Sequence, residues 1–143
     1  MLGGGATARN AYVEALRAYG KDAEKPRIAA AGRWIFCTRE PGRDWPLLRE
    51  HAFYQLRNYA TWFYAAGQPA LGDPPADLPD LESHGLYCVA TPEEIIEVLR
   101  AQHAAAPFER HYFWAIWPGV EIAMATRSVR LFAEEVIPAL RDL

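Results

Sequence analysis

The sequence has few cysteines, no long apolar run and no excess of positive charge, and each absence excludes a class of protein. Its two cysteines, Cys37 and Cys88, do not form a C-x-x-C pair, so we expect reduced thiols in a cytoplasmic protein. No apolar run approaches the roughly 18 residues of a membrane-spanning helix, and the N-terminal residues lack the apolar core of a signal peptide. A net charge of −3 indicates neither a nucleic-acid footprint nor a membrane-surface patch. We therefore expect no nucleic acid and no membrane among the partners.

The residue types that usually build catalytic centres are also sparse. The four histidines are scattered, and no pair has the i, i+4 spacing of metal ligands on a helix. No serine lies in a G-x-S-x-G context, and neither cysteine has an evident base beside it. From the residues alone we expect no metal site, and the catalytic residues stay unassigned.

Apolar and aromatic residues are abundant instead. They make up 51% and 13% of the chain, which is enough for the core of one domain. The aromatic-rich run 111–117 ends at Pro118-Gly119 and predicts a buried strand followed by a turn. A helix is predicted over 124–140, with an apolar stripe on one face. The stripe consists of Val129, Phe132, Val136 and Leu140.

Strand and helix patterns alternate upstream of this run. Residues 27–38 are predicted to form a strand, with W-I-F-C as its core. Thr91 and Glu94 match a capping box, which predicts that a helix over 92–103 begins after Thr91. Residues 85–90 are predicted as a strand or an extended loop. This alternation is typical of α/β proteins with parallel strands.

Two further helices and a linker complete the pattern. The first helix is predicted over 6–19, ending at Gly20. The second begins at Asp44 as its N-cap and runs to about residue 66. Its aromatic residues lie nearly all round, which indicates either packing between two surfaces or a lid over an apolar pocket. Residues 67–84 contain four prolines and predict a mobile flap. The face predicted to be shared in the first helix consists of Ala8, Tyr12, Leu16 and Tyr19.

The position of the strands selects a candidate substrate pocket. In parallel α/β barrels, active sites gather at the carboxyl ends of the strands. Aromatic side chains beside one arginine suit a planar, apolar ligand that carries an anionic or carbonyl group. A purely structural role in the core is the alternative for the tryptophans. The candidate pocket residues are Phe36, Thr38 and Arg39 after the first strand, and Trp114, Ile116 and Trp117 in the last.

Three segments follow one another in the second half of the chain. They are A-T-P-E-E-I-I at 90–96, the strand end W-P-G at 117–119, and R-S-x-x-L-F-A-E-E-V-I-P at 127–138. Their order resembles the C-terminal end of luciferase-like flavin-dependent monooxygenases. That family commonly begins this helix with G-T-P-E-E, where the present chain has Ala90, and ends with R-S-L-x-L-F-x-E-E-V-I-P. The earlier segment 12–28 resembles the family's run from the sixth helix into the seventh strand.

The resemblance implies an α/β fold, the C-terminal part of a (β/α)8 TIM-type barrel. Residues 1–143 would then form a single partial domain with two to three parallel strands. Residues 39–90 would be the insertion that covers the active site. The resemblance also implies FMN or a deazaflavin as cofactor and a small organic substrate. Most flavin contacts of the family lie on the first strands, so we expect this chain alone to bind no flavin tightly. On this mapping the seventh and eighth strands are 27–38 and 111–117, and the corresponding helices are 92–103 and 124–140.

Three functions stay open at this point. The chain is a C-terminal fragment of a flavin-dependent oxidoreductase that is inactive alone, a non-catalytic binding or assembly module, or an unrelated small α/β domain. As partners we expect a second copy of the chain or the N-terminal part of the barrel. Two or three strands cannot close a barrel, so the sheet keeps open edges through which the isolated chain is expected to associate or aggregate.

Overall fold

The computed structural model describes residues 5–24, 26–31, 33–67, 77, 81 and 85–143, and they form a mixed helix–strand structure. The last helix is interrupted by a π-helical turn at Phe132–Val136. The helices are α1 (Gly5–Ala18), α2 (Pro41–Ala65), α3 (Pro92–Ala105), α4 (Ile122–Leu131) and the short α5 (Ile137–Ala139). The strands are β1 (Ala29–Ala31), β2 (Trp34–Cys37), β3 (Tyr87–Ala90) and β4 (Arg110–Tyr112).

The strands form two pairs, and both are parallel, as the alternation of helices and strands predicts. β1 pairs with β4, and β2 pairs with β3. The backbone N–H groups of Trp34 and Thr38 donate to the carbonyl oxygens of Leu86 and Ala90. Because N–H groups alternate between the two edges of a strand, the N–H of Cys37 points away from β3.

Two strand predictions need correction. The predicted strand 27–38 is present as the two short strands β1 and β2, which belong to different pairs. The predicted strand 111–117 is limited to β4, and the chain continues from residue 113 to 121 without regular structure. Trp114 and Ile116 are 54% and 58% exposed, whereas Trp117 is 1% exposed. The run is therefore not a buried strand, because β4 pairs with only the three residues of β1.

The β2–β3 pair is covered on both faces. One face packs against α2 in what we call the α2-side core, and the other packs against α3 in the α3-side core. The Tyr87 hydroxyl donates to the carbonyl oxygen of Ala52 at 2.9 Å and so ties β3 to α2. The α2-side core consists of Phe36, Leu48, Ala52, Leu56, Leu81, Leu86, Trp117, Val120, Met124 and Ala125. The α3-side core consists of Ile35, Cys37, Cys88, Ala90, Ile95, Leu99 and Val136.

The predicted capping box at the start of α3 is confirmed. Thr91 Oγ1 accepts from the Glu94 backbone N–H at 3.4 Å, and Glu94 Oε2 accepts from the Thr91 N–H at 2.9 Å. The prediction for α2 is wrong at its start, because this helix begins at Pro41 after Glu40. Proline is favoured in the first turn because its fixed φ suits a helix and its missing N–H needs no partner there. Asp44 is therefore not the N-cap and lies within the first turn.

The stripe predicted for the last helix is only partly buried. Val136 is fully buried, but Val129 is 44% exposed. The π-helical turn changes the phase of the helix: the N–H of Ile137 donates to the carbonyl oxygen of Phe132, five residues earlier. Pro138 supplies a local cause, because it has no N–H and its ring crowds the carbonyl group four residues before it.

The helix predicted over 6–19 is present as α1, and the face predicted to be shared is largely exposed. Tyr12 and Tyr19 are 41% and 80% exposed, whereas Val13 is buried. The stop at Gly20 is confirmed: this residue has a φ of 63° and its N–H donates to the carbonyl oxygen of Arg17. The shared face is exposed because α1 has little of the described chain to pack against, so its 3.6-residue periodicity does not correspond to a core-facing stripe.

The turn predicted at Pro118-Gly119 is confirmed. Gly119 has a φ of 82°, and a Cβ atom at this position would lie 2.8 Å from Nδ1 of His51. Glycine is therefore required both for the backbone conformation and for the close approach to α2. The turn brings Val120 back into the α2-side core.

Most of the segment 67–84 lies outside the described residues, so the structure does not address the predicted flap. Two described residues from this segment differ in environment: Asp77 is exposed and Leu81 is 2% exposed. Leu81 belongs to the α2-side core. Within the described ranges, none of the helices combines the length and apolar character that crossing a bilayer requires.

Candidate functional site

An open cavity of about 330 Å³ lies at the carboxyl end of β2. Residues 36–39, at the end of the strand, form its floor. The beginning of α2 forms one wall through Glu40, Arg43 and Asp44. The opposite wall is formed by α4 and the π-helical turn, and its members are Met124, Arg127, Ser128, Arg130, Leu131 and Glu134.

The structure brings together three of the six predicted pocket residues. Phe36, Thr38 and Arg39 line this cavity, and the three predicted residues of the last strand do not. Trp114 and Ile116 lie on the exposed segment after β4, and Trp117 packs in the α2-side core. These three are displaced from the pocket because β4 ends at Tyr112, so the run does not continue beside β2 to its carboxyl end.

A buried hydrogen-bonded pair fixes the end of β2. The Thr38 hydroxyl donates to Asp44 Oδ2 at 2.5 Å, and the two residues are 8% and 5% exposed. The N–H of Glu40 donates to the Thr38 hydroxyl at 3.1 Å, and Arg43 Nε lies 3.3 Å from Asp44 Oδ1. A buried carboxylate needs such partners to offset its loss of hydration. Asp44 therefore joins β2 to α2, a role that the predicted N-cap position did not reveal.

Cys37 lies at the floor of the cavity but does not provide a nucleophile. Its backbone N–H, which points away from β3, donates to Ser128 Oγ at 2.8 Å. A side chain of α4 therefore accepts the hydrogen bond that a neighbouring strand would accept if β4 extended this far. Burial raises the pKa of the Cys37 thiol to about 12, and Glu135 contributes in the same direction. Burial likewise raises the pKa of Cys88. Both cysteines are free thiols, and at neutral pH they are protonated and poorly reactive.

Four arginines line the cavity, and two of them, Arg39 and Arg43, form ion pairs with carboxylates. Arg39 forms ion pairs with Glu93 and Glu135. Arg43 forms ion pairs with Glu40 and Asp44.

The other two arginines, Arg127 and Arg130, make no hydrogen bond or ion pair with another described residue. Both side chains are exposed. Their i, i+3 spacing on one helix face is the signal that connects them.

The cavity does not fit a flavin ring system. Among its lining residues Phe36 is the aromatic one, whereas seven residues carry charge: Arg39, Glu40, Arg43, Asp44, Arg127, Arg130 and Glu134. Ligand pockets for aromatic ring systems are lined mainly by apolar and aromatic side chains. The described residues therefore offer a site for a charged group rather than a complete site for FMN or a deazaflavin. In the same ranges, no three His, Cys, Asp or Glu side chains come together as a possible metal site.

A second feature of the surface is its set of exposed aromatic and aliphatic side chains. On α2, Tyr54, Trp62 and Tyr64 are each about 60% exposed. Beyond β4, Trp114 and Ile116 are exposed next to a strand that is paired on one edge with β1.

Comparison with protein-family models, curated proteins and solved structures finds no match to this chain.

Proposed function

We propose that this chain is the C-terminal part of a luciferase-like flavin-dependent monooxygenase from the cytoplasm. In this proposal the chain contributes the last strands of a TIM-type barrel and one wall of the substrate site. One observation carries the proposal: the cavity lies at the carboxyl end of a parallel strand and includes the predicted pocket residues Phe36, Thr38 and Arg39. The motifs at 90–96 and 127–138 support the same assignment.

The flavin, FMN or a deazaflavin, would supply the redox chemistry and would be bound mainly by barrel strands outside this chain. The residues of this chain would position the substrate. Arg39 is held by two glutamates at the rim of the cavity, and Phe36 offers an apolar contact on the floor. Closure of the cavity by further strands would exclude water and strengthen its electrostatic interactions with a polar substrate group.

The test is flavin titration of the chain alone and of the chain mixed with the N-terminal barrel part of a luciferase-like monooxygenase. We expect no tight FMN binding by the chain alone and saturable quenching of flavin fluorescence in the mixture. Trp114→Ala should weaken this complementation, because Trp114 is exposed where a further strand would pack. Trp62→Ala is the matched control, since Trp62 is equally large, 63% exposed and located on α2.

Two results would contradict the proposal. One is a monodisperse monomer of the chain alone that binds FMN with a Kd of about 1 μM or lower. The other is an absence of flavin binding in every mixture with a barrel part, while both components remain folded by circular dichroism.

A non-catalytic assembly module is the second candidate function, and the exposed segment after β4 favours it. The outer edges of β3 and β4 pair with no other strand among the described residues, and Trp114 and Ile116 lie exposed beside one of them. Open edges flanked by apolar side chains are templates for association. A stoichiometric homo-oligomer in light scattering that Trp114→Ala dissociates and Trp62→Ala does not would support this function. A chain that stays monomeric at all concentrations would exclude it.

A further inference from the structure

The wall that α4 contributes to the cavity carries two positive charges, neither of which forms an ion pair within the described residues. Arg127 and Arg130 are three residues apart on this helix, so their side chains lie on the same face. Both line the cavity, and neither is paired with another residue in the described part of the chain. Like charges at this spacing repel each other and weaken a helix slightly, so an anion between them would stabilise the wall.

The remaining charges of the cavity offset this pair only in part. Arg39 and Arg43 are bound to carboxylates, and the carboxylate of Asp44 is bound to Thr38 and Arg43. Glu134 also lines the cavity, but no ion pair joins it to either arginine in the described part. The α4 wall is therefore positive, although the chain as a whole has a net charge of −3.

Three large apolar side chains also line the cavity. They are Phe36, which is 3% exposed, Met124, which is 9% exposed, and Leu131. A volume of about 330 Å³ suits a small organic molecule, because ligand pockets range from about 300 to 1,000 Å³. Guanidinium groups bind carboxylates and phosphates in a planar, bidentate geometry.

We propose that the cavity binds a small organic anion, with its carboxylate or phosphate group on Arg127 and Arg130 and its apolar part on Phe36 and Met124. The proposal names the substrate class of the site proposed above and rests on that proposed function for the role of the ligand as a substrate. Binding of the anion itself requires only residues of this chain, so it is measured without flavin and without a barrel partner.

The experiment titrates the full chain with phenyl phosphate and with benzoate at low ionic strength, and follows the arginine Nε–Hε signals by NMR. We expect saturable shifts of a small set of these signals. Phenol, the neutral analogue, should produce none. Arg127→Gln and Arg130→Gln should each weaken binding by about tenfold, because each removes charge-assisted hydrogen bonds to the anion. Arg130→Lys should recover part of this loss, since it restores the charge without the planar geometry.

Arg141→Gln is the matched control, because Arg141 is exposed, lies outside the cavity lining and loses the same charge. Its affinity should stay within about twofold of the original chain, since only long-range and screened electrostatics change. Equal weakening by Arg141→Gln and Arg130→Gln would overturn the proposal, as would unchanged binding in the Arg127→Gln, Arg130→Gln double variant. Equal affinity for inorganic phosphate and phenyl phosphate would overturn the apolar contact. Failure of anion binding with successful flavin complementation would reject this inference and retain the proposed function.

Discussion

The two parallel strand pairs of this protein differ in sequence and in environment: β2 and β3 read W-I-F-C and Y-C-V-A, whereas β4 reads R-H-Y and is followed by the apolar run F-W-A-I-W at 113–117. In the β2–β3 pair, Ile35, Phe36 and Cys37 are each 3% exposed or less. In the β1–β4 pair, Tyr112 is 57% exposed, and the aromatic run that follows it leaves the strand. The first pair has a helix against each face, whereas β4 pairs with the three residues of β1 alone.

The apolar run 35–37 is buried and the apolar run 113–117 is partly exposed, so the burial of an apolar segment depends on which elements cover it. α2 and α3 cover the two faces of β2–β3, and Ser128 satisfies the backbone N–H of Cys37 on its open edge. No comparable cover lies over Trp114 and Ile116 among the described residues, and both stay exposed. If a barrel partner or a second copy of the chain binds this protein, the segment after β4 is the surface on which we expect it.

The sharpest test of this difference compares two tryptophans in the same run. Trp117 is 1% exposed, with its ring 5.9 Å from that of Phe36 and 4.8 Å from that of Tyr87. Trp117→Ala should lower the free energy of unfolding by about 3–5 kcal/mol, because it removes a large buried side chain and leaves a cavity. Trp114→Ala should change it by about 0.5 kcal/mol or less, because the side chain is mostly in water. Urea unfolding followed by circular dichroism measures both.

Similar losses in the two variants would mean that Trp114 is buried in solution, by oligomerisation or by folding of the segment after β4. In that case the difference between the strand pairs would not hold for the protein in solution. Repeating the measurement across protein concentrations separates these two causes, since only the first depends on concentration.

The next test concerns the buried pair that ends β2. Thr38→Val should lower the free energy of unfolding by about 1–3 kcal/mol, because Asp44 stays buried without its hydroxyl donor. Thr61→Val is the matched control: the Thr61 hydroxyl donates to the carbonyl oxygen of Arg57 on an exposed face of α2. Its effect should stay within about 0.5 kcal/mol. A loss in Thr38→Val no larger than that in the control would show that Asp44 finds another donor or water.

A smaller effect is expected where β3 passes into α3. Thr91→Ala should cost about 1 kcal/mol, because the N–H of Glu94 loses its side-chain acceptor. Thr91→Ser should be nearly neutral, because the serine hydroxyl accepts the same hydrogen bond. Thermal unfolding of the three proteins checks this, and equal losses for both substitutions would show that the methyl group, rather than the hydroxyl, matters at this position.

The smallest effect is a pH dependence in the β1–β4 pair. Burial lowers the pKa of His111 below its ordinary value of 6.5, so the folded protein favours the neutral imidazole. The unfolded chain then binds a proton more readily, and this contribution to stability is present above the ordinary pKa and is lost as the pH falls through it. His111→Gln should therefore flatten the decline in unfolding free energy between about pH 7 and pH 5. Parallel pH profiles of the two proteins would indicate that His111 is solvated when the protein is folded.

The candidate site was predictable in part. Phe36, Thr38 and Arg39 follow from the position of a parallel strand end, because that rule depends only on where the strand stops. Arg127 and Arg130 were not recognised as site residues, because a pair of arginines on a helix gives no indication of whether its face points to water or into a cavity. The helix pattern predicts Asp44 as an N-cap, because its actual partner, Thr38, lies outside that pattern.

The sequence by itself determined the features that depend on a few neighbouring residues. The capping box at Thr91, the end of α1 at Gly20 and the turn at Pro118-Gly119 all arise from contacts or backbone angles within about one turn of chain. The core of the strand over Trp34–Cys37 also belongs to this group, because its apolar run is bounded by turn residues.

Only the tertiary structure decided how far the second aromatic run is buried and which residues of the last helix face the core. The run 111–117 separates into exposed Trp114 and buried Trp117 because α2 reaches one and not the other. In the last helix, Phe132, Val136 and Leu140 of the predicted stripe pack in or against the α3-side core, whereas the tertiary structure leaves Val129 44% exposed. Burial is a property of the elements that surround a residue, and periodicity along the chain specifies which residues share a face without specifying what covers that face.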